Sequence, residues 1–370
     1  MNTYGTSFRI SVFGESHGHC IGTLVKGCPP GLALNEGDIQ TELDRRKPGK
    51  SAIATQRKEE DRVKILGGVF DGKTTGAPIA MIVENKDTDS SKYDFLKYMP
   101  RPGHADFTVH EKYHGCGDFR GGGMFSGRST ASLVMGGAVG KKILSKKGIE
   151  ITAHTIQVGN VKNNKIIFKP DLGLEEYDSL IKMIKANREK NEVSCADSAV
   201  ARKMVSEILN AKKEGDSVGG VIECIVRNVP VGAGEPYFDT LEGEIAKMMF
   251  AIPAVKGIEF GAGFKVGEMK GSRSNDQFCV FKKTIRTKTN YSGGILGGIS
   301  NGMPIVFRVA VKPTASIAKK QQTVRYKDLK IESLSIEGRH DPCIVPRAVP
   351  VVEAGAAIVM TDLLLRDSRL

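Results

Sequence analysis

A run of glycines that leads into small and apolar residues is the feature that most restricts how this 370-residue chain can fold. It lies within residues 101–132, where three glycines at 121–123 come shortly before Thr130, and the residues after Thr130 predict a tightly packed helix. Glycines let a backbone approach a ligand closely, and a helix N-terminus favours phosphate. The segment therefore predicts either an anion site at a loop–helix junction or a glycine-rich turn before a buried helix.

The same segment contains HEKYH at 110–114, which matches the zinc-protease pattern of two histidines one helical turn apart. That pattern binds zinc only in the middle of a stable helix. Pro102 and Gly103 precede it here, and Gly115 and Gly117 follow it, so only a short helix is expected. We predict solvated polar residues on a short turn in preference to a metal site.

Charge and cysteine usage narrow the class of partner. The chain has 54 Lys and Arg against 42 Asp and Glu, a net charge of +12, which suits partners rich in phosphate or carboxylate. Aromatic residues are only 6% and Trp is absent, so small anionic substrates rank above nucleic acid. Seven scattered cysteines predict reduced thiols and a cytoplasmic location. The N-terminal residues contain no long apolar run, which predicts no signal peptide and no membrane span.

Apolar periodicity predicts strands and helices along the whole chain. Since no linker-like segment divides them, a single domain over residues 1–370 is expected. The predicted strands are 8–13, 21–25, 62–70, 77–83, 218–226 and 305–311, and the predicted helices are 37–44, 172–191, 197–213, 241–250 and 350–365.

Two groups of residues near the N-terminus have the composition of binding or catalytic sites. His17 lies between glycines at the end of the first predicted strand, next to Glu15 and Ser16, and it either faces a cleft or serves the structure. Arg45 and Arg46 end a predicted helix. They either complement the helix dipole or hold a phosphate or carboxylate in bidentate fashion.

Three segments in the last quarter of the chain complete the candidates. The glycine run 292–302 allows close approach to a flat ring, or it forms tight turns. Residues 312–316 offer one cation and two hydroxyls, a combination that suits a phosphate. Residues 339–341 place a cation, a base and an acid in three consecutive positions.

Eight short blocks, spread over nearly the whole chain, resemble the chorismate synthase family in sequence and in order. They are GESHG at 14–18, LDRRKPG at 43–49, TQR at 55–57, RPGHAD at 101–106, AVKG at 254–257, GGILGGISNG at 293–302, KPTASI at 312–317 and GRHDPC at 338–343. The resemblance implies an α+β fold, a single large β-α-β sandwich-type domain whose helices pack between and against antiparallel sheets.

The resemblance also implies an activity. The family consists of carbon–oxygen lyases that catalyse the last step of the shikimate pathway, in aromatic amino acid biosynthesis. They convert 5-enolpyruvylshikimate 3-phosphate to chorismate by a 1,4-anti elimination of phosphate, and they require reduced FMN although the reaction has no net redox change. The expected assembly is a homotetramer. The flavin is reduced either by the enzyme with NADPH or by an external flavin reductase, and the resemblance implies no metal.

Roles carried over from the family fall on matching positions of this chain. His17 would be the acid beside the leaving phosphate, oriented by Ser16, and His104 would lie by the flavin and help keep it in its anionic reduced form. Asp341 would work with the flavin in accepting the ring proton. The implied flavin contacts are Met124, Phe125, Ser126, Pro253, Ala254, Gly297, Lys312, Pro313, Thr314, Ala315, Ser316 and Arg339. The implied substrate contacts are Arg45, Arg46, Arg57, Arg128 and Arg339.

Some positions depart from the family pattern. Met124 and Phe125 replace an arginine and a serine, Ala52 replaces a further arginine, and Lys26 stands where an acid is usual. Basic side chains at the rim of the pocket are therefore fewer, while the acid–base residues are intact. We predict a competent enzyme in which backbone N–H groups take over the roles of the missing side chains at 124 and 125.

Overall fold

The computed structural model describes residues 2–48, 53–55, 59–86, 89–336 and 340–370. Two of the predicted site residues, Arg57 and Arg339, lie outside these ranges. Ala52, which replaces an arginine of the family pattern, lies outside them as well.

Most of the strands belong to two antiparallel sheets, and the remainder form short two-stranded hairpins. In chain order the strands are β1 (Thr3–Tyr4), β2 (Arg9–Gly14), β3 (Cys20–Lys26), β4 (Val63–Gly67), β5 (Val69–Phe70), β6 (Lys73–Thr74), β7 (Ile79–Glu84), β8 (Glu150–Val158), β9 (Val161–Lys162), β10 (Gly220–Arg227), β11 (Val255–Phe260), β12 (Phe278–Phe281), β13 (Thr284–Thr287), β14 (Ile295–Leu296), β15 (Ile299–Ser300), β16 (Ile305–Val311), β17 (Gln321–Val324) and β18 (Ile331–Leu334). The first sheet has the order β1-β2-β3-β7-β4, and the second has the order β11-β16-β10-β8-β9.

The helices follow the predicted periodicity closely. They are α1 (Glu36–Arg46), α2 (Asp106–Lys112), α3 (Thr130–Ser145), α4 (Leu174–Arg188), α5 (Ser198–Lys213), α6 (Leu241–Phe250), α7 (Gly271–Ser274) and α8 (Val345–Arg366). The start of α1 is set by a capping box, in which Asn35 and Asp38 each accept a hydrogen bond from the other's backbone N–H. That box fixes where α1 begins, and so where its two C-terminal arginines fall.

Helices α3 and α8 pack against each other between the two sheets, with α3 against β3 and α8 against β8 and β10. This layered arrangement confirms the predicted β-α-β sandwich of the α+β class. Small residues bring the two helices together: a side-chain carbon added at Gly137 would lie 2.7 Å from the Ala354 carbonyl oxygen. Among the described residues, α8 alone is long and apolar enough to cross a membrane, but 94% of its apolar window is buried inside the fold. It is the core helix of this fold.

Adding a methyl group at Gly137 is expected to destabilise the protein. The gain in helix propensity from Gly137→Ala is about 1 kcal/mol, whereas forcing a methyl group into a closed helix contact costs about 1–3 kcal/mol. We expect a net loss measurable by urea denaturation. Gly136→Ala is the matched control in the same helix, because its new carbon would meet only the side chains of Ile10, at 3.1 Å, and Ile358, at 3.9 Å. Equal stability of the two variants would show that the contact between α3 and α8 is not close-packed at Gly137.

Candidate functional site

Two adjoining cavities lie where α3, α8 and the glycine run meet. The smaller, which we call the arginine cavity, has a volume of about 220 Å³ and is lined by four arginines together with Glu59, His104 and Asp341. These arginines are Arg46, Arg101, Arg128 and Arg347. The larger, which we call the apolar cavity, has a volume of about 800 Å³ and includes Met124, Phe125, Phe250 and Pro253 in its wall. His104, Gly127, Thr130 and Pro253 line both, so the cavities share a wall.

The glycine run passes between the two histidines of the site. Gly121, Gly122 and Gly123 all have positive φ angles, of 58°, 88° and 52°, which residues with side chains rarely adopt. A carbon added at Gly121 would lie 2.5 Å from Nε2 of His17, and one added at Gly122 would lie 3.2 Å from Nε2 of His104. These positions therefore require glycine, because the backbone is left-handed and because two imidazole rings occupy the space that side chains would need.

His17 is buried and held by residues from the segment after β7. Its Nδ1 lies 2.9 Å from the hydroxyl of Ser90, and the ring of Tyr93 packs edge-on against it at 5.2 Å. Tyr93 and Gly121, which are both next to His17, line the arginine cavity. The hydroxyl of Ser16 is fully buried and has no hydrogen-bond partner within the described part of the chain. A buried hydroxyl without a partner is costly unless a ligand or water completes it.

His104 belongs to a buried polar group with Arg101 and Asp106. Its Nδ1 lies 2.6 Å from Oδ1 of Asp106, and Arg101 pairs with both carboxylate oxygens at 2.8 Å. Burial alone would raise the pKa of Asp106, but hydrogen bonds from Arg101 and His104 outweigh it and hold that pKa far below its usual range. The carboxyl group is therefore ionised at neutral pH.

Asp61 neutralises two of the buried arginines of the site, Arg46 and Arg128. Arg46 donates to its Oδ2 at 2.9 Å, and Arg128 donates to its Oδ1. Arg46 also donates to the carbonyl oxygen of Gly127 at 2.8 Å and to the hydroxyl of Thr130 at 3.0 Å. Burial by itself would raise the pKa of Asp61, but the two guanidinium groups together hold it below its usual range. This triad connects the end of α1 to the start of α3.

Asp341 lies in the wall of the arginine cavity, just before α8. Its Oδ1 accepts a hydrogen bond from the backbone N–H of Thr55 at 2.8 Å, and its Oδ2 pairs with Arg347. Arg347 also donates to the backbone carbonyl oxygen of Arg46 at 3.1 Å. These bonds place an acidic and a basic side chain next to each other at the cavity surface.

Most of the implied flavin contacts meet at the apolar cavity. Its wall includes Met124, Phe125, Pro253, Ala254, Lys312, Pro313, Thr314 and Ala315, while Ser126 and Ser316 line the arginine cavity. Gly297 lies in the turn between β14 and β15 and lines neither cavity.

Arg45 points away from the site. It pairs with the fully buried Glu353 at 2.6 Å and with Glu42 at 2.9 Å. Lys141 and Arg188 bind the same Glu353 carboxylate. Although Arg45 was a candidate substrate contact, the structure places it in this ion cluster between helices. The sequence could not separate it from its neighbour Arg46, which lines the cavity.

The HEKYH segment does not form the helical pair of histidines that zinc proteases use. His110 lies in α2, which ends at Lys112, and His114 lies beyond it with a φ of +51°. The ring of His110 stacks on Tyr326 with the ring centres 4.2 Å apart. No group of three metal-binding side chains occurs among the residues that the structure describes.

Comparisons with known proteins point to one family. A family model described as chorismate synthase matches residues 8–365. A chorismate synthase of Dehalococcoides mccartyi is 51% identical over 365 residues, which cover 99% of this chain and 97% of that protein. A chorismate synthase of Methanocaldococcus jannaschii is 52% identical over 368 residues, with coverage of 99% and 97%. A crystal structure of a chorismate synthase superposes with a TM-score of 0.78 at 31% identity and covers 98% of this chain and 93% of that one.

Proposed function

The chain belongs to the chorismate synthase family, and we propose that the arginine cavity and the apolar cavity together form its active site. It is a carbon–oxygen lyase that converts 5-enolpyruvylshikimate 3-phosphate to chorismate and phosphate. The observation that carries the location is the wall of the arginine cavity, where arginines meet His104 and Asp341.

The guanidinium groups of the arginine cavity suit an anionic substrate. Four arginines line the cavity, and each pairs with the carboxylate of Asp61, Asp106 or Asp341, which fixes its orientation. Preorganised guanidinium groups bind substrate phosphate and carboxylates and stabilise the charge that develops on a departing phosphate. We propose Arg46 and Arg128 as substrate contacts, with Arg57 and Arg339 from the segments outside the described residues. The ion pair of Arg45 with Glu353 argues against a role for Arg45 in substrate binding.

Acid and base groups flank this cavity. We propose that His17 donates a proton at the leaving phosphate, because its ring is in contact with Gly121 and Tyr93, which both line the cavity. Ser16, next to it, offers a buried hydroxyl that can complete a hydrogen bond to the substrate. We propose that Asp341 works with the reduced flavin in accepting the ring proton, because its carboxylate is fixed at the cavity surface by Thr55 and Arg347. Loss of phosphate and of a ring proton requires both functions.

The apolar cavity fits reduced FMN, which the family requires. Its volume of about 800 Å³ can hold a flavin nucleotide, and Met124, Phe125 and Pro253 provide surface for an aromatic ring. Lys312 and Thr314, in the same wall, offer a cation and a hydroxyl for its phosphate. We propose that these residues hold the cofactor, with Ala254, Pro313, Ala315, Ser126, Ser316 and Arg339, and that backbone N–H groups replace the side chains missing at 124 and 125. When bound, the reduced flavin supplies electron density transiently to the substrate.

The remaining family properties are also proposals for this chain. One continuous hydrophobic core reaches from the first sheet through α3 and α8 to the second sheet, which supports a single domain. Exposed Phe278, Val280 and Ile285 on the β12–β13 hairpin support assembly into a homotetramer. We further propose a cytoplasmic location, and reduction of the flavin by NADPH or by an external reductase.

Anaerobic turnover with photoreduced FMN tests this function. We expect the wild-type protein to form chorismate from 5-enolpyruvylshikimate 3-phosphate, and His17→Ala and Asp341→Ala to lower kcat by about 10²–10⁴-fold each, as expected for loss of a general acid or base. His110→Ala is the matched control, because His110 lines neither cavity. If the folded wild-type protein gave no turnover, the function itself would be wrong. Normal rates in His17→Ala or Asp341→Ala would overturn the proposed roles.

A second assay separates the two routes of flavin reduction. The wild-type protein is given oxidised FMN and NADPH without any other protein. Chorismate formation would support reduction by the enzyme itself, and its absence, with full activity on photoreduced FMN, would support an external reductase.

A further inference from the structure

The four arginines that line the arginine cavity differ in how accessible their side chains are. The side chains of Arg46, Arg101 and Arg128 are only 2%, 3% and 4% exposed, whereas that of Arg347 is 25% exposed. An arginine binds an anion directly only through N–H groups that the anion can reach. Among the described arginines of this cavity, Arg347 is therefore the one whose donors are most accessible.

The hydrogen bonds of the three buried arginines explain the difference. The nitrogens Nε, Nη1 and Nη2 of each one all donate to acceptors of the protein itself. In Arg46, for example, these acceptors are Thr130, Asp61 and the carbonyl oxygen of Gly127. Each buried guanidinium group offers a ligand only the N–H bonds that the protein leaves over.

Arg347 has a nitrogen that the protein does not engage. Its Nε donates to the backbone carbonyl oxygen of Arg46 at 3.1 Å, and its Nη1 pairs with Oδ2 of Asp341. Its Nη2 has no hydrogen-bond partner within the described part of the chain, so both N–H groups of that nitrogen remain available to a ligand. Since a guanidinium group is planar and rigid, the two bonds that form also fix the orientation of the free nitrogen.

The proposed reaction indicates which anion lies near Arg347. In a 1,4-elimination the phosphate and the ring proton leave from carbon atoms on opposite sides of the substrate ring. The carbon that loses the proton lies between the carbon with the ring carboxylate and the carbon with the enolpyruvyl ether. Asp341, the proposed partner of the flavin in accepting that proton, is paired with Arg347. A substrate carboxylate is therefore closer to Arg347 than the phosphate is.

We propose that Arg347 is a further substrate-binding residue, whose Nη2 donates to a carboxylate group of 5-enolpyruvylshikimate 3-phosphate. This inference rests on the proposed function and adds to it a residue with two tasks. Nη1 holds the carboxylate of Asp341, and Nη2 holds a carboxylate of the substrate. One guanidinium group thus lies between two negative groups and offsets their mutual repulsion at the place where the ring proton is removed.

Equilibrium binding to the full-length protein saturated with oxidised FMN tests the proposal, because the family reaction requires the reduced flavin and no turnover disturbs the titration. By calorimetry we expect the Kd for 5-enolpyruvylshikimate 3-phosphate to be about 10–100-fold higher in Arg347→Gln than in wild type, as expected for one lost charge-assisted hydrogen bond. If Arg347→Gln does not fold, Arg347→Lys replaces it, since lysine keeps a charge beside Asp341, and we expect a rise of about 10-fold. An unchanged Kd would overturn the proposal.

A second ligand distinguishes a carboxylate contact from a phosphate contact. 5-Enolpyruvylshikimate has both carboxylates of the substrate and no phosphate, so we expect Arg347→Gln to raise its Kd by the same factor. If only the phosphorylated ligand lost affinity, Arg347 would contact the phosphate and the proposal would be wrong. Shikimate 3-phosphate has only the ring carboxylate: an equal loss with this ligand identifies the ring carboxylate as the partner, and no loss identifies the enolpyruvyl carboxylate.

Two variants separate a direct contact from an effect through Asp341. Asp341→Asn leaves Arg347 in place and removes a negative charge beside the substrate carboxylate, so we expect a Kd equal to or lower than that of wild type. Arg366→Gln is the matched control, because Arg366 lies in the last turn of the same helix and pairs with Asp362 as Arg347 pairs with Asp341. We expect it to leave the Kd unchanged. A loss of affinity in either variant as large as in Arg347→Gln would contradict the proposal.

These measurements separate the role of Arg347 from the proposed function. Chorismate formation by wild type, together with an unchanged Kd in Arg347→Gln, would remove the contact and leave the lyase function standing. The expected loss of affinity in Arg347→Gln, in a protein whose wild type gives no chorismate with reduced FMN, would uphold the contact and remove the function.

Discussion

Replacement of Asp61 by asparagine is expected to destabilise the protein by about 3–5 kcal/mol, as removal of one partner of a buried ion pair does. The Asp61 side chain is fully buried and is the shared counterion of Arg46 and Arg128, both of which are almost fully buried. Without it, two guanidinium groups remain in a desolvated site with only neutral acceptors and the more distant Glu59, 4.0 Å from Arg128. Urea denaturation followed by circular dichroism measures the loss.

The effect of Asp61 should also depend on pH, with a defined sign. The pKa of Asp61 is lower in the folded protein than the ordinary value of about 3.9 that an unfolded chain shows. Its contribution to stability is therefore complete above about pH 4 and declines as the pH falls toward the folded pKa. We expect the difference in unfolding free energy between wild type and Asp61→Asn to be constant near neutral pH and to become smaller below about pH 4.

Glu60 provides the control for Asp61. It is the adjacent carboxylate, it is exposed, and it pairs at 3.0 Å with the exposed Lys86. Exposed ion pairs contribute little, so Glu60→Gln should leave the unfolding midpoint unchanged. If Asp61→Asn were as stable as Glu60→Gln, Asp61 would not be the group that stabilises the two buried arginines.

Substitution of Gly121 by alanine is expected to lower kcat by about 10²-fold, the scale of a displacement of roughly 1 Å in a catalytic group. The added carbon would lie 2.5 Å from two atoms of the His17 ring and 3.0 Å from the hydroxyl of Ser16. Since the backbone at this glycine is left-handed, alanine also carries a conformational cost of about 1–2 kcal/mol. Chorismate formation with photoreduced FMN, compared with the unfolding midpoint, separates the two effects.

Gly115→Ala isolates the conformational cost. Gly115 also has a positive φ, of 74°, but its new carbon would meet only the ring of His110, at 3.4 Å or more. We expect a similar loss of stability with kcat nearly unchanged. Loss of kcat in both variants to the same degree would show that backbone strain, and not the displacement of His17, determines the effect of Gly121→Ala.

Local patterns predicted many elements of the fold, but not β8 and β11 of the second sheet. The alternation at residues 8–13 and 305–311 corresponds to β2 and β16, and the apolar periodicity at 350–365 corresponds to most of α8. The layered arrangement itself was available only from the family resemblance. Periodicity states which face of an element is buried, but it does not state which other element covers that face.

The pairing of charges could not be predicted from the sequence. Arg45 and Arg46 are adjacent, yet one binds Glu353, 308 positions away, and the other binds Asp61. No sequence pattern marked Asp61 as a site residue, because it follows a charged stretch and reaches its partners from a backbone with a φ of +48°. Asp106 and Arg347 were missed as well, although Asp106 falls inside the RPGHAD block. Long-range ion pairs depend on how the layers meet, which no local pattern encodes.

The central position of α8 in the core has a consequence for how the chain folds while it is being synthesised. A ribosome delivers a chain from its N-terminus, so both sheets and α3 have been synthesised before the first residue of α8 exists. Until Val345–Arg366 has emerged, the inner surface of the second sheet lacks the helix that covers it, and α3 lacks its main partner. Completion of this core therefore follows the synthesis of both sheets and of α3.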